Sequence, residues 1–168
     1  MALVVLVGLP GSGKTTTGRA LAAALGSGFV DTDDVFIERE HVSVQEYLRA
    51  HGEAPFRERE LLALTQALES PAVVSTGGGV VTTADARRLV RQELTVWLDC
   101  DDDVLVARVL DGDRPLLGDD PRERLVALRA QRDAFYLEVS RYRVDSSRPL
   151  DVIVGQLLAI VESAKAAP

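Results

Sequence analysis

The chain has 168 residues, of which 46% are hydrophobic and 27% charged, which is typical of one globular domain and excludes disordered, collagen-like and coiled-coil sequences. A formal net charge of -7 disfavours nucleic acid and anionic membranes as partners, because both favour a basic surface. The single cysteine, Cys100, excludes an intramolecular disulfide scaffold and a zinc site.

The N-terminal apolar stretch is short and stops at Gly8, and no basic segment precedes it. We therefore interpret it as neither a secretory signal nor a membrane span. We expect a soluble, cytoplasmic and monomeric protein.

Apolar strands and helical patterns alternate along the first half of the chain. Residues 2–7 form an unbroken apolar run, as in a strand buried on both faces of a parallel sheet. We predict a helix over 15–25 that ends at Gly26, a short strand at 29–30, and helical segments over 35–70 with breaks near 41–43 and Gly52.

The second half continues this alternation. We predict strands at 72–75, 94–98 and 142–144, helices at 84–91, 103–110, 122–139 and 150–164, and a loop rich in helix-breaking residues at 111–115. The pattern predicts an α/β fold with three layers around a central parallel sheet of about five strands. We expect a single domain over 1–168.

Residues 8–15 read GLPGSGKT and match the phosphate-binding pattern G-x-x-x-x-G-K-[ST] at every fixed position. The glycines let backbone N–H groups converge on phosphates, Lys14 reaches the β- and γ-phosphates, and the Thr15 hydroxyl ligates Mg²⁺. The helix that follows adds the positive end of its dipole at the same place. The motif predicts that the protein binds a nucleoside triphosphate.

The chain contains no asparagine, so the N-K-x-D motif that reads guanine in GTPases is absent. Motor ATPases need more chain beyond the core than this sequence offers. These exclusions favour a compact phosphotransferase, which needs a magnesium partner, groups that orient the acceptor hydroxyl, and cations that offset charge in the transition state.

Three features near predicted strand ends are candidates for the acceptor side. Asp31 and Asp33 follow the second strand, where open α/β sheets bind ligands, so that one can serve the metal and the other the acceptor; alternatively, they cap the next helix. The glycines at 77–79 leave backbone N–H groups open to an acceptor, although a tight turn also uses glycine. Arg57 suits bidentate recognition of a carboxylate, although an exposed helical arginine is commoner.

These motifs, in this order, resemble the shikimate kinase family. The shared pieces are GLPGSGKT at 8–15, DTD at 31–33, GE-x-x-FR-x-x-E at 52–60, GGG at 77–79, RPLL at 114–117, and Leu128, Arg132 and Tyr136 spaced by four. The resemblance covers essentially the whole chain and implies a P-loop fold like that of nucleoside monophosphate kinases. The implied activity is transfer of the ATP γ-phosphate to the 3-hydroxyl of shikimate, on the route to chorismate and the aromatic amino acids.

On the nucleotide side, the resemblance implies that Lys14 and Thr15 serve the phosphates and Mg²⁺, with Asp31 as the outer partner of the metal. Arg114 would lie on a mobile lid, about 110–122, that closes over the nucleotide and stabilises the transferring phosphoryl. The implied nucleotide-binding residues are Gly11, Ser12, Gly13, Lys14, Thr15, Thr16, Arg108, Arg114 and Arg148, of which Arg108 and Arg148 flank the adenine.

On the acceptor side, the resemblance implies a shikimate-binding segment over about 32–61. Asp33 would hold the acceptor hydroxyls and help to deprotonate the attacking one. The shikimate carboxylate would be gripped by Arg57 and Arg132, with the pocket completed by Glu60 and the backbone of Gly78 and Gly79.

The sequence departs from the family pattern at four places in this segment, which are Phe36-Ile37, His41 (where the family has glycine), Leu48 (where it has an aromatic residue) and Pro55. These departures leave the residues of the kinase chemistry intact and concern acceptor fit.

Two alternatives to this function stay open. A gluconate kinase shares the P-loop and the compact size but gives no reason for FR, GGG and the helix of Arg132. A non-catalytic nucleotide-binding paralogue has no need of the acceptor base Asp33 or the lid cation Arg114. Asp99 also ends an apolar strand, as a metal-binding aspartate does, but we assign it to the acidic N-terminus of the next helix.

Overall fold

The computed structural model describes residues 1–110 and 120–166. Arg114 and most of the expected lid therefore lie outside the described residues.

Five parallel strands form one sheet in the order β2-β3-β1-β4-β5, which confirms the predicted α/β architecture. Their bounds are Val4–Val7 (β1), Gly28–Asp31 (β2), Ala72–Ser75 (β3), Thr95–Asp99 (β4) and Tyr142–Asp145 (β5). The central strand β1 pairs on one side with β3, where Val5 lies opposite Val74, and on the other with β4, where Val5 lies opposite Thr95.

Helices follow the strands close to the predicted bounds. They are Lys14–Leu25 (α1), Thr32–Glu40 (α2), Val44–His51 (α3), Glu53–Glu69 (α4), Ala84–Arg91 (α5), Asp102–Leu110 (α6), Pro121–Val139 (α7) and Leu150–Ala166 (α8), with a 3-10 turn at Val80–Thr82. No helix in the described part of the chain is long and apolar enough to cross a membrane.

The unbroken apolar run of β1 is explained by burial on both faces of the sheet. Val5 and Val7 point into a core shared with α4, α5 and α7, whereas Val4 and Leu6 point into a second core shared with α1 and α8. All four side chains are fully buried. The sheet is therefore the middle of three layers, and its carboxyl edge is left to the loops that follow the strands.

Phe36, one of the departures from the family pattern, packs at the centre of the segment formed by α2, α3 and α4. Its ring lies 5.3 Å from the rings of both Tyr47 and Phe56, measured between centroids, and its side chain is buried. The neighbouring Ile37 is 43% exposed. Phe36 thus packs in the core between the three helices and does not line the cleft.

His41 ends α2 in the left-handed conformation, with φ 59° and ψ 21°. Its backbone N–H donates to Ile37 O at 2.9 Å. Within residues 1–110 and 120–166 it is the single non-glycine residue with positive φ. A left-handed residue at a helix C-terminus is usually glycine, so the family glycine has a conformational reason and His41 takes up its backbone shape under strain.

We predict that His41→Gly raises the melting temperature. The strain of a left-handed non-glycine residue is about 1–3 kcal/mol, whereas glycine loses roughly 0.5–1 kcal/mol of chain entropy on folding. Thermal unfolding followed by circular dichroism measures the change. Ala50→Gly, at an exposed position inside α3, is the matched control and should lower the melting temperature. A lower melting temperature for His41→Gly would contradict the strain argument.

Candidate active site

A cleft of about 560 Å³ opens at the carboxyl edge of the sheet, between the loop after β1, the acceptor segment α2–α4, and α7. Both halves of the predicted site face it. The predicted residues that line this cleft are Gly11, Gly13, Lys14, Thr15, Thr16, Asp31, Asp33, Arg57, Glu60, Gly78, Gly79 and Arg132.

A second cleft, of about 360 Å³, lies on the other side of the same loop. Its lining includes six predicted nucleotide-binding residues, which are Gly11, Ser12, Gly13, Thr16, Arg108 and Arg148. Arg108 is held in place because Nη2 donates to Ser146 O at 2.6 Å and Nη1 donates to Gly11 O at 3.4 Å. The phosphate-binding loop at 8–15, here called the P-loop, therefore contributes Gly11 and Gly13 to both clefts.

The P-loop joins β1 to α1 in the way the motif requires. Gly13, with φ 88°, is the residue before α1, and α1 begins at Lys14. Lys14 is buried, and its Nζ donates to Gly8 O at 2.9 Å and to Leu9 O at 3.0 Å. The N-terminus of α1 and the Lys14 ammonium thus concentrate positive charge at the floor of the cleft.

Asp31 connects the P-loop to the acceptor segment. Its Oδ2 accepts from the Thr15 hydroxyl at 2.9 Å, and its Oδ1 accepts from the Asp33 backbone N–H at 3.1 Å. Asp31 therefore caps α2, which confirms that interpretation, and also stands beside the P-loop threonine, while its role toward a metal stays a prediction. Asp31 is the last residue of β2, whereas Asp33 lies in the first turn of α2.

Asp33 lines the cleft at a solvent-exposed position, close to the carboxylates of Asp31 and Glu60 and to Lys14. Desolvation is the largest cause that raises the pKa of Asp33, followed by the neighbouring carboxylates of Asp31 and Glu60. Together, and against the opposing effect of Lys14, they raise it from 3.8 to about 6. A carboxyl with this pKa gains and loses a proton near neutral pH, which suits an acid-base group.

Glu60 is buried beneath the cleft and forms the inner partner of Arg57. Its Oε2 accepts from Arg57 Nη1 at 2.6 Å. Burial raises the pKa of Glu60, and the positive charges of Arg57 and Arg132 oppose that rise. The pair holds the guanidinium in one place at the cleft wall.

The two predicted carboxylate-binding arginines face the same cleft from different elements, Arg57 from α4 and Arg132 from α7. In each, the Nε atom is buried and has no hydrogen-bond partner among the described residues. Arg57 is further fixed by the Phe56 ring, whose centroid lies 5.0 Å from its guanidinium carbon.

The three glycines after β3 are explained by close approach rather than by a simple turn. A Cβ at Gly79 would lie 2.4 Å from Arg57 Nη2, and one at Gly78 would lie 3.0 Å from Pro10 Cδ. At Gly77 a Cβ would lie 3.0 Å from Glu60 Oε1. The backbone at Gly79 therefore packs against the Arg57 guanidinium, and a side chain at this position would displace it.

Tyr136, the last residue of the spaced motif on α7, holds this glycine loop from below. Its hydroxyl donates to Gly78 O at 2.5 Å, and its side chain is fully buried. Burial raises the pKa of Tyr136, so the phenol stays protonated and remains a donor. Arg132 stands one helical turn earlier and lines the cleft, so α7 positions both this cation and the glycine loop.

Some cleft residues were not predicted from the sequence. Three such residues line the cleft, namely Thr76, Glu53 and Arg124. The Thr76 hydroxyl donates a hydrogen bond to Leu6 O at 3.0 Å. A signal for Arg124 exists, because it precedes Leu128 and Arg132 by four and eight residues and so shares their helix face. Glu53 precedes Arg57 by four residues, the spacing of an ion pair on a helix.

Asp99, assigned above to an acidic helix N-terminus, has a different role, so that assignment is wrong. It is buried at the end of β4, and its carboxylate accepts from Arg129 Nη1 at 3.0 Å and Arg143 Nε at 3.1 Å. The helix α6 begins only at Asp102, which pairs with Arg129 Nε at 2.7 Å. With its oxygens taken by two guanidinium groups, Asp99 is not the partner of the P-loop threonine, which is Asp31.

Comparison with known proteins gives a consistent result. A family model described as shikimate kinase matches residues 10–162. The shikimate kinase of Corynebacterium jeikeium is 41% identical over 162 residues, which cover 94% of this chain and 88% of that protein. The shikimate kinase of Corynebacterium diphtheriae is 40% identical over 164 residues, which cover 96% of this chain and 95% of that protein.

Solved structures of shikimate kinases are more similar to this chain than a gluconokinase that shares the fold. A gluconokinase from Sinorhizobium meliloti has a TM-score of 0.65 at 24% identity over 96% of this chain and 91% of that chain, which shows a likeness of fold alone. Shikimate kinase from Acinetobacter baumannii, in complex with shikimate, has a TM-score of 0.90 at 32% identity, covering 98% of this chain and 94% of that chain. The chain belongs to the shikimate kinase family of P-loop phosphotransferases.

Proposed function

We propose that this protein transfers the γ-phosphoryl group of ATP to the 3-hydroxyl of shikimate. The bond between the acceptor oxygen and the γ-phosphorus forms, the bond between that phosphorus and the β,γ-bridging oxygen breaks, and ADP leaves. The hydroxyl proton passes to Asp33. The observation that carries the proposal is that the P-loop, Asp33 and the two arginines Arg57 and Arg132 line one cleft.

The nucleotide half of the site is proposed from the two clefts that share the P-loop. The backbone N–H groups of Gly11, Ser12, Gly13 and Thr16 and the ammonium of Lys14 would hold the phosphates. Arg108 and Arg148, which line the second cleft, would flank the adenine. Arg114 lies outside the described residues, and its role as the cation of a closing lid stays a prediction from the sequence.

The residues at the P-loop also fit a magnesium ion. Mg²⁺ prefers oxygen ligands, keeps several waters, and usually takes one or two protein groups together with substrate phosphates. Thr15 Oγ1 and Asp31 Oδ2 lie 2.9 Å apart at the floor of the cleft and provide that donor set. When bound there, Mg²⁺ would neutralise charge on the transferring phosphates.

The acceptor half is proposed from charge and proximity. Arg57 and Arg132 would bind the carboxylate of shikimate, and Glu60 would keep Arg57 oriented through their 2.6 Å pair. The backbone of Gly78 and Gly79 would lie against the acceptor, because the loop is open at this edge. Asp33 would then face the acceptor hydroxyls and accept the proton of the attacking one.

We propose further that the protein is a cytoplasmic monomer of one domain over 1–168 with no nucleic-acid partner. The acidic net charge of -7 supports the last point.

We expect acceptor-dependent turnover when shikimate and MgATP are supplied together. A coupled assay for ADP, with phosphorylation at the 3-hydroxyl verified by NMR, measures it. Gluconate should give much lower turnover, because ordering its flexible chain between both arginines and Asp33 costs conformational entropy that the shikimate ring does not lose. Silence with shikimate and activity with gluconate would reverse the assignment, and ATP binding without any shikimate binding would indicate a non-catalytic paralogue.

Replacing Asp33 tests its role as the base. For the wild-type enzyme, kcat/KM for shikimate should rise with pH through about 6, since only the ionised carboxylate of Asp33 accepts a proton. Asp33→Asn should remove this rise and lower kcat by at least about 100-fold. The affinity for ATP, measured by isothermal titration, should stay within about threefold, and a large loss would mean that Asp33 belongs to the nucleotide site.

The melting temperature of Asp33→Asn at two pH values shows whether a loss of activity comes from the missing carboxylate or from unfolding. Because the folded-state pKa of Asp33, about 6, lies above 3.8, its contribution to stability becomes unfavourable as pH rises from 3.8 through 6. Asp33→Asn should therefore raise the melting temperature at a pH near 7.5 and leave it nearly unchanged at a pH near 3.5. A lower melting temperature at the higher pH would contradict the raised pKa of Asp33.

A methyl group at Gly79 should weaken acceptor binding selectively. The Cβ of Gly79→Ala would lie 2.4 Å from Arg57 Nη2, so the guanidinium must leave its position, whereas the P-loop is untouched. We expect KM for shikimate to rise by about 10-fold or more, which corresponds to the loss of one charge-assisted interaction, with KM for ATP unchanged. Gly155→Ala, where nothing lies within 4 Å, is the control and should change neither KM. Equal effects on both KM values would refute the selective role.

A further inference from the structure

Arg57 is held by a second carboxylate besides Glu60. Glu53, in the first turn of α4 and one turn before Arg57, accepts from Arg57 Nη2 at 3.2 Å through its Oε1 atom. Glu53 also lines the cleft. The guanidinium that would bind the acceptor's carboxylate is thus already paired with two carboxylates of the chain.

The carboxylates of Glu60 and Glu53 differ in burial and therefore in how firmly each is held against Arg57. The Glu60 side chain is 8% exposed and lies 2.6 Å from Arg57 Nη1, so it is a fixed inner partner. The Glu53 side chain is 71% exposed. An ion pair at such an exposed position contributes little to stability, because water screens it and the side chain loses entropy when it is held. Glu53 is therefore easily displaced, whereas Glu60 is not.

The position of Glu53 coincides with the edge of Arg57 that an acceptor needs. Nη1 is occupied by Glu60, and the backbone of Gly79 packs against both Nη atoms. Nη2 is the terminal nitrogen whose partner is an exposed carboxylate at the cleft wall. An incoming carboxylate that binds Nη2 must therefore displace the Glu53 carboxylate, and it is repelled by the negative charge of Glu53.

We propose that Glu53 competes with the carboxylate of the acceptor for Arg57 Nη2 and so sets the affinity of the site for anionic acceptors. Before the acceptor binds, Glu53 satisfies Nη2; when it binds, the Glu53 carboxylate moves into solvent and the acceptor's carboxylate takes its place. This inference rests on the proposed function, because it assumes an acceptor with a carboxylate. It makes Glu53 a specificity-determining residue that acts through Arg57.

The test is Glu53→Gln, which keeps the size of the side chain and removes its charge. We expect KM for shikimate to fall two- to fivefold, with the change in KM rather than in kcat. The methyl ester of shikimate, an acceptor without the negative charge, should show no such fall. Glu58→Gln, at an exposed position of the same helix away from the cleft lining, is the matched control and should behave as wild type.

The results for Glu53→Gln test the competition, and the results for the wild-type enzyme test the proposed function. A KM for shikimate that is unchanged or higher in Glu53→Gln overturns the competition, and so does an equal fall for shikimate and its methyl ester. Circular dichroism shows whether the variant is folded, and isothermal titration of shikimate gives the same affinity ratio without turnover. If the wild-type enzyme shows neither turnover nor binding with shikimate, the proposed function fails and the role of Glu53 fails with it.

Discussion

The site depends on the parallel pairing of β2, β3 and β1. Because all three strands run in the same direction, the residues that follow them meet at one edge of the sheet. The P-loop follows β1, Asp31 ends β2, and the glycine loop follows β3. A chain with these motifs on antiparallel strands would place them at opposite edges. The doubly buried apolar strands therefore determine where the chemistry is placed as well as providing the core.

Charge placement, rather than total charge, distinguishes this protein. The chain carries a net charge of -7, yet Lys14, Arg57, Arg132 and Arg124 all line the main cleft. Among them lie the carboxylates of Asp31, Asp33 and Glu60, close enough that the pKa values of Asp33 and Glu60 rise. A site that gathers like charges in this way costs stability. The exposed carboxylate of Glu53 adds a further negative charge at the wall of the same cleft.

Much of the fold was predictable because its signals are local. Apolar runs marked the strands, and Gly26, Gly52 and the break near His41 marked helix ends within a few residues. The site residues that belong to motifs were predictable for the same reason. What the sequence did not reveal are contacts between distant positions, such as Asp99 with Arg129, or the packing of Phe36 between α2, α3 and α4. These depend on how helices pack, and no local pattern encodes them.

The proposed binding mode places the carboxylate of shikimate on Arg57 and Arg132 and its hydroxyls at Asp33. A crystal structure of the protein with shikimate and an unreactive ATP analogue tests this most directly. We expect the carboxylate within hydrogen-bond distance of both guanidinium groups, the 3-hydroxyl beside Asp33, and Glu53 turned away from Arg57. Shikimate bound elsewhere, or bound here with its carboxylate away from both arginines, would contradict it.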